Sequence, residues 1–338
     1  MASAMYRRAI LSMSLVAVAG IAIGCSAQAD ESSAAGAGAG AEPGALPVTL
    51  EHAYGSTTIS ETPQRIAAVG IGDTDVLLSL GITPVLVPAW KGSVDTGIGA
   101  WAEPNRGGAA APPVLANAVS DFDIEAVAAA APDLILAVNN AIDEDEYRKL
   151  SAIAPTVLHA PDQTDWMLPW QDVTTRIGAA VGRPQAAAEQ ITSVEDTFGA
   201  ARAENPQFAG KSAILVRAMP DDTFRVYSPT SARGQMLTEL GFTMPAQLRD
   251  RFGEALYTDV SAENLPLLEA DLLVMDNYDA SSERLQAMPT FTGLDVVRGG
   301  RMVGLDAVTS DAVSMPNPLT IPFVVDDLLE RISRTPVG

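Results

Sequence analysis

Two separated regions of this chain share one order of residues. Asp75-Val-Leu-Leu-Ser-Leu-Gly81-Ile-Thr is echoed by Gln235-Met-Leu-Thr-Glu-Leu-Gly241-Phe-Thr. Further on, Glu125-Ala-Val-Ala-Ala-Ala-Ala-Pro-Asp133-Leu-Ile-Leu is echoed by Glu263-Asn-Leu-Pro-Leu-Leu-Glu-Ala-Asp271-Leu-Leu-Val. Each glutamate precedes its aspartate by eight positions and follows a good helix-capping residue, Asp123 or Ser261, by two. Both glutamates are therefore expected in the first turn of a helix, where the positive end of the helix dipole favours a carboxylate. Helix starts attract acids generally, which accounts for either glutamate alone but less well for the shared order and spacing. A chain built twice from one unit is expected to fold as two lobes of similar plan.

From Leu46 onward, short apolar runs alternate with helical patterns. The first half reads as strands over 66–71, 84–88, 134–138 and 156–159, with helices over 75–80, 124–131 and 144–153. The second half reads as strands over 213–216, 223–227 and 272–275, with helices over 234–240, 264–268 and 319–332. Strands that alternate with helices imply mostly parallel sheets covered on both faces, an α/β fold. Between the halves, 170–181 reads as one helix, and Pro184 opens a second that runs to about Asn205, ~30 Å long. The expected organisation is an N-terminal lobe over 46–182, a linking helix over 183–206 and a C-terminal lobe over 207–338. One long helix between two lobes makes a stiff hinge that permits rocking rather than wide closure. The two halves differ in register: Gly81 to Glu125 is 44 positions, but Gly241 to Glu263 is 22. The extra residues fall between Val87 and Ala116, a loop that carries Trp90, Lys91, Trp101 and Arg106. A long loop of this kind on a rigid scaffold is more often functional than not.

Ahead of the lobes, Tyr6-Arg7-Arg8 is followed by an apolar run to Ile23 and then by Gly24-Cys25-Ser26. Residues 1–24 thus have the layout of a secretory signal, with an apolar run of roughly 15 residues, short of the ~20 that a membrane-crossing helix needs. Cys25 is the only cysteine of the chain. Ala22-Ile23-Gly24-Cys25 resembles a bacterial lipobox, with Ala22 where leucine is usual, and this implies lipid on Cys25 after cleavage. Residues 25–45, with no large apolar side chain, are expected to form a disordered tether. The protein is then extracytoplasmic and anchored to the cell membrane by its first mature residue. The net charge is −21; without Arg7 and Arg8, 19 basic residues face 42 acidic ones, near −23. Such a surface argues against nucleic acid and against anionic lipid as partners.

Several motifs stand in a fixed order: the lipobox-like Cys25, Pro63-Gln-Arg65-Ile-Ala-Ala-Val, Leu80-Gly81-Ile-Thr-Pro-Val, Ile124-Glu125 to Asp133, and Val260-Ser261-Ala-Glu263 to Asp271. Together they resemble the binding proteins that feed iron–siderophore and cobalamin ABC importers, over Leu46 to about Ser333. The resemblance implies two Rossmann-like lobes, a rigid linking helix, a ligand held between the lobes and one surface glutamate per lobe that docks on the permease dimer. Those two glutamates correspond to Glu125 and Glu263 here, the pair already placed at equivalent sites of the repeated unit.

A free metal would need clustered ligands, whereas His52 and His159 are the only histidines and lie far apart. A ferric siderophore brings its own oxygens and asks the protein for aromatic walls and a few cations. Candidates at the expected strand ends are Trp90, Trp166, Arg217, Tyr227, Arg233 and Tyr278. The acidic surface favours neutral or cationic hydroxamate chelates over highly anionic catecholates, an order that local arginines can reverse. No phosphate loop, nucleophile elbow or histidine-rich site is present, so no enzyme is expected and no cofactor beyond iron inside the chelate. The expected function is capture of a ferric siderophore by a monomer for an ABC importer. The alternatives are a haem-binding surface lipoprotein, with Tyr227 or Tyr278 as axial ligand, and an envelope scaffold with a vestigial cleft.

Overall fold

The computed structural model describes residues 40–338, apart from 91, 92, 94 and 118–122. The signal segment and Cys25 lie outside the described residues, as does the tether up to residue 39. Residues 40–45 correct the expected end of the tether. Glu42 donates its N–H to the Gly182 carbonyl at 2.7 Å, and its carboxylate accepts from the amides of Gln185 and Ala186 at 2.8 and 2.9 Å. A carboxylate on the free amides of a helix N-terminus is held electrostatically, so a segment without large apolar side chains still docks.

The N-terminal lobe opens with an antiparallel hairpin, β1 (Val48–His52) and β2 (Gly55–Ile59), which the sequence reading lacked. β3 (Ile66–Ala68), α1 (Asp73–Ser79), β4 (Val87–Pro88), β5 (Val114–Leu115), α2 (Ile124–Ala129), β6 (Leu134–Ala137), α3 (Glu144–Ser151) and β7 (Thr156–Leu158) follow. β3, β6 and β7 form a parallel sheet, and the parallel pair β4–β5 joins it through a bridge between Ala67 and Leu86. Every residue of β6 is buried, because helices cover both faces. Ala68, Leu134 and Leu136 pack toward α1 and α4 (Trp170–Ala180); Ala67, Ile135 and Ala137 pack toward α2 and α3.

After α5 (Pro184–Glu204), the C-terminal lobe contains β8 (Ala213–Ala218), β9 (Phe224–Tyr227), α6 (Ala232–Glu239), α7 (Ala246–Arg249), β10 (Tyr257–Val260) and β11 (Leu272–Asp276). It ends with α8 (Tyr278–Gln286), α9 (Pro289–Thr292), α10 (Asp295–Arg298), β12 (Met302–Gly304), α11 (Ala307–Val313) and α12 (Thr320–Ser333). The strand order is β10-β9-β8-β11-β12. β8, β11 and β12 run parallel as expected, and β10 shares their direction, but β9, between β10 and β8, is antiparallel to both neighbours. The cause is the short turn after β8, where Asp222 takes φ 61° and Met219 N–H bonds the Thr223 carbonyl at 2.8 Å. A turn so short can join only antiparallel neighbours.

The repeated unit is visible in the backbone. Gly81 and Gly241 both take left-handed φ, 73° and 98°. Each is followed by an amide, that of Ile82 or Phe242, which returns to the carbonyl of Leu77 or Leu237, the same helix ending. The helix starts differ. Asp123 caps the Ala126 amide at 2.9 Å, but Ser261 accepts instead from the Asn264 side chain at 2.9 Å. The segment Ala262–Leu268 is a 3-10 turn rather than an α-helix, because Pro266 inside it has no N–H to give.

Helix α5 is anchored in both lobes. Its Ala187 belongs to the N-terminal core, and Val194, Phe198 and Ala201 belong to the C-terminal core. Gly178 of α4 allows the close approach, since a Cβ there would meet that of Ala187 at 2.3 Å. A second tie crosses the lobes: buried Asp75 on α1 accepts from Trp101 Nε1 at 2.7 Å and from Asn317 Nδ2 at 2.8 Å.

Candidate functional site

A cavity of about 650 Å³ lies between the lobes, at the C-terminal ends of β3, β6 and β8 and beside β9. Ligands of open α/β sheets bind at this end, where connecting loops diverge. One wall carries Ile71, Asn139, the run Trp166 to Trp170 and Val173; the other carries Arg217, Arg225, Tyr227, Arg233 and Tyr257. Residues 314–317, ahead of α12, close the floor.

The C-terminal wall is a row of cations set by strand register. Arg217 on β8 stands directly opposite Arg225 on β9 and beside Asp276 on β11. Asp276 has no side-chain exposure, and its Oδ2 lies 3.4 Å from Arg217 Nη1 and 3.9 Å from Arg233 Nε. Its Oδ1 is buried without a hydrogen bond. Arg225 makes a two-pronged bond to Asp259 across the β9–β10 pair, 2.9 and 3.0 Å, and that pairing raises its pKa. Its guanidinium lies 3.7 Å from the Tyr257 ring centre, and that of Arg233 lies 4.7 Å from the Tyr227 ring centre. Burial pushes the Tyr227 phenol up, with the nearby arginines opposing, so it remains a neutral hydroxyl.

The facing wall is apolar. Trp166 and Met167 are 39% and 47% exposed, unusual for large apolar side chains, and both line the cavity. Trp166 holds a left-handed φ of 63°. Such a conformation costs energy in a non-glycine residue and persists only where neighbours enforce it. Those neighbours are visible: His159 Nε2 sits 2.8 Å from Asp165 Oδ1 and its Nδ1 2.8 Å from the Ala160 carbonyl, while Gln163 bonds Asp172 and the Ala160 amide. At the floor, Asp73 is fully buried and accepts from the amides of Val138 and Asn139 at 2.8 and 3.3 Å.

Of the six residues read from sequence, Trp166, Arg217, Tyr227 and Arg233 line this cavity. Two do not. Trp90 faces a recess of about 20 Å³ beside Trp101 and Asp75, next to the main cavity, because the chain turns back at Ser93, whose N–H bonds the Trp90 carbonyl. Tyr278 turns away because Asn277 takes φ 53° and reorients the chain after β11. Its amide bonds the Leu305 carbonyl, its ring packs on Gly304, and its hydroxyl accepts from Gln286 at 3.4 Å. Arg225, Tyr257, Asp259 and Asp276 were missed. The signal for Arg225 was present in Phe224-Arg-Val-Tyr, since alternation puts it on the same face as Tyr227. His52 is buried between Thr57 and the Tyr54 amide, with its pKa lowered chiefly by burial. Among the described residues, no cluster of His, Cys, Asp and Glu could hold a metal ion. Glu125 and Glu263 are exposed, each in the first turn of its segment and outside the cavity lining.

Residues 66–309 match the family described as periplasmic binding protein. The crystal structure of a periplasmic solute binding protein from Mycobacterium smegmatis aligns with a TM-score of 0.77 at 32% identity, over 86% of this chain and 99% of that one. Streptococcus pneumoniae PiaA in complex with ferrichrome aligns with a TM-score of 0.69 at 26% identity, over 84% and 97%. The probable siderophore-binding lipoprotein YfiY of Bacillus subtilis is 28% identical over 253 residues, 70% of each chain.

Proposed function

The chain belongs to the periplasmic binding protein family, a family of substrate-binding proteins rather than enzymes, and we propose that this member captures a ferric siderophore and delivers it to an ABC importer. The observation that carries the reading is the make-up of the cleft. Three arginines and two tyrosines face an exposed tryptophan across about 650 Å³, and among the described residues no carboxylate, histidine or thiol lines the cavity. Such a wall offers no ligand set to bare iron but suits a chelate whose oxygens already wrap the metal. The names of two relatives, a probable siderophore-binding lipoprotein and the ferrichrome-bound PiaA, support the same ligand class.

In this reading the arginines donate to chelate oxygens, and Trp166 with Met167 covers the apolar rim of the ligand. Helix α5, embedded in both cores, keeps the lobes at nearly fixed spacing, so a ligand is held by a preformed site with little closure. Glu125 and Glu263 dock one lobe each on the two subunits of the permease, and lipid on Cys25 keeps the protein at the outer face of the membrane. Visible absorption tests the ligand class. The protein is mixed with ferric siderophores or with haem and passed through a sizing column. A ferric charge-transfer band that co-elutes with the protein is the expected result. A Soret band with no ferric-chelate band would replace the siderophore by haem.

A further inference from the structure

The charges behind the cleft wall are as informative as those on it. Among the described residues, Arg217, Arg225 and Arg233 are the charged side chains that line the cavity. Two carboxylates stand directly behind them, and they are shared unequally. Asp259 takes both prongs of Arg225, whose face is already covered by Tyr257, so that cation is spent. Asp276 alone serves both Arg217 and Arg233, through one oxygen and at 3.4 and 3.9 Å. Three positive charges against two negative ones leave one formal positive charge, located on the Arg217–Arg233 pair.

Resting on the siderophore reading above, we propose that the cleft is matched to a ferric chelate of net charge about −1, with its anionic group placed against Arg217 and Arg233. Removing charge from water is costly unless it is matched on the other side. A trianionic tris-catecholate would bring two charges that this wall does not balance. A cationic chelate would add to the excess already there. A monoanion neutralises it and leaves the rest of the ligand, a low-polarity chelate face, for Trp166 and Met167. The local charge thus overrides the strongly acidic surface, which by itself favours neutral or cationic ligands.

A charge series on one chelate scaffold tests this. A linear ferric trihydroxamate is prepared with its terminal amine free (+1), acetylated (neutral), succinylated (−1) or capped with a dicarboxylate (−2), and a ferric tris-catecholate (−3) is added to the set. Dissociation constants are measured by tryptophan quenching at low and moderate salt. The −1 member should bind tightest, roughly tenfold or more above the +1 member, with an advantage that shrinks as salt screens the pair. Asp259→Asn, at a partly exposed site on the edge strand, adds one positive charge to the wall. It should raise the affinity ratio of the −2 to the −1 member by roughly threefold or more. Affinity that is flat across the series, or greatest for the tris-catecholate, overturns the charge match while leaving siderophore capture intact. Failure of every ferric chelate to bind removes the siderophore reading itself, and the charge match with it.

Discussion

Asp133 and Asp271 hold the same place in the two lobes. Asp133, just before β6, accepts from the amides of Gln64 and Arg65 at 2.8 and 2.9 Å, immediately ahead of β3. Asp271, just before β11, accepts from the Ser212 amide and hydroxyl at 2.7 and 2.9 Å, immediately ahead of β8. In each lobe a carboxylate thus staples the starts of the two central parallel strands, whose far ends form the cleft.

Stability should reflect that staple. Hydrogen bonds from Ser212, the backbone bond foremost, hold the Asp271 pKa below the usual carboxylate range. A depressed carboxylate stabilises the fold above its unfolded value, near 3.9, and loses that contribution as pH falls through the folded value. Asp271→Ala should cost about 1 kcal/mol at pH 7, because the site is largely exposed and screened. The cost should shrink as pH falls below the usual carboxylate range. Chemical denaturation of both proteins at pH 7 and pH 3 measures it, and an equal difference at both would rule out the staple.

Asp73 predicts the opposite slope. Burial pushes its carboxyl up to about 7, against two backbone hydrogen bonds that lower it. The folded state therefore holds a proton that the unfolded chain releases near pH 3.9. The stabilisation from this group is full below that value and is lost as pH rises through 7. Asp73→Asn removes the buried charge and should flatten the fall in melting temperature between about pH 4 and 7. The slope of the variant relative to the parent decides the point; identical slopes would show that Asp73 does not titrate there.

How much of this was legible follows from burial. Strands covered on both faces, such as Leu134–Ala137 and Leu272–Asp276, read directly as apolar runs. Edge strand β10, Tyr-Thr-Asp-Val, has only Val260 buried and gave no such run, so Tyr257 and Asp259 stayed hidden. The hairpin β1–β2 was lost for the same reason, as most of its residues are at least partly exposed. Proximity to a strand end led to Arg217 and Tyr227, which line the cavity. It also led to Tyr278, which does not line the cavity because one left-handed residue, Asn277, turns the chain aside, a change carried by backbone geometry rather than composition. The partnership of Arg217 and Arg233 with Asp276 depends on strands and helices far apart in sequence, and only the folded register reveals it.

Docking should be separable from capture. Glu125 and Glu263 are exposed and lie outside the cavity lining. Carboxylates presented to arginines of a two-fold partner contribute orientation and encounter rate as much as affinity. Glu125→Ala/Glu263→Ala should keep the ligand dissociation constant and the melting temperature while uptake at limiting ligand falls. Full uptake by the double variant would show that the pair are ordinary first-turn glutamates.

The proposed anchoring rests on Cys25, outside the described residues. Cys25→Ala should release the protein from membrane fractions or leave the signal segment uncleaved. Mass spectrometry of the wild-type N-terminus checks it, with a diacylated cysteine as the first residue expected. An unlipidated protein that begins elsewhere would contradict the anchor.

The central claim is that the arginine-faced cleft is where a ferric siderophore binds. It is tested most directly by equilibrium titration of the wild type and of Arg217→Ala with the same ferric chelate, followed by tryptophan fluorescence. Trp166, which lines the cavity, is the expected reporter. The wild type should quench saturably at one chelate per chain. Loss of a charge-assisted bond in a partly exposed site should weaken Arg217→Ala by roughly 1.5–3 kcal/mol, about 10- to 150-fold. A wild type that binds a ferric siderophore with an affinity unchanged by Arg217→Ala would contradict the placement of the ligand in this cleft.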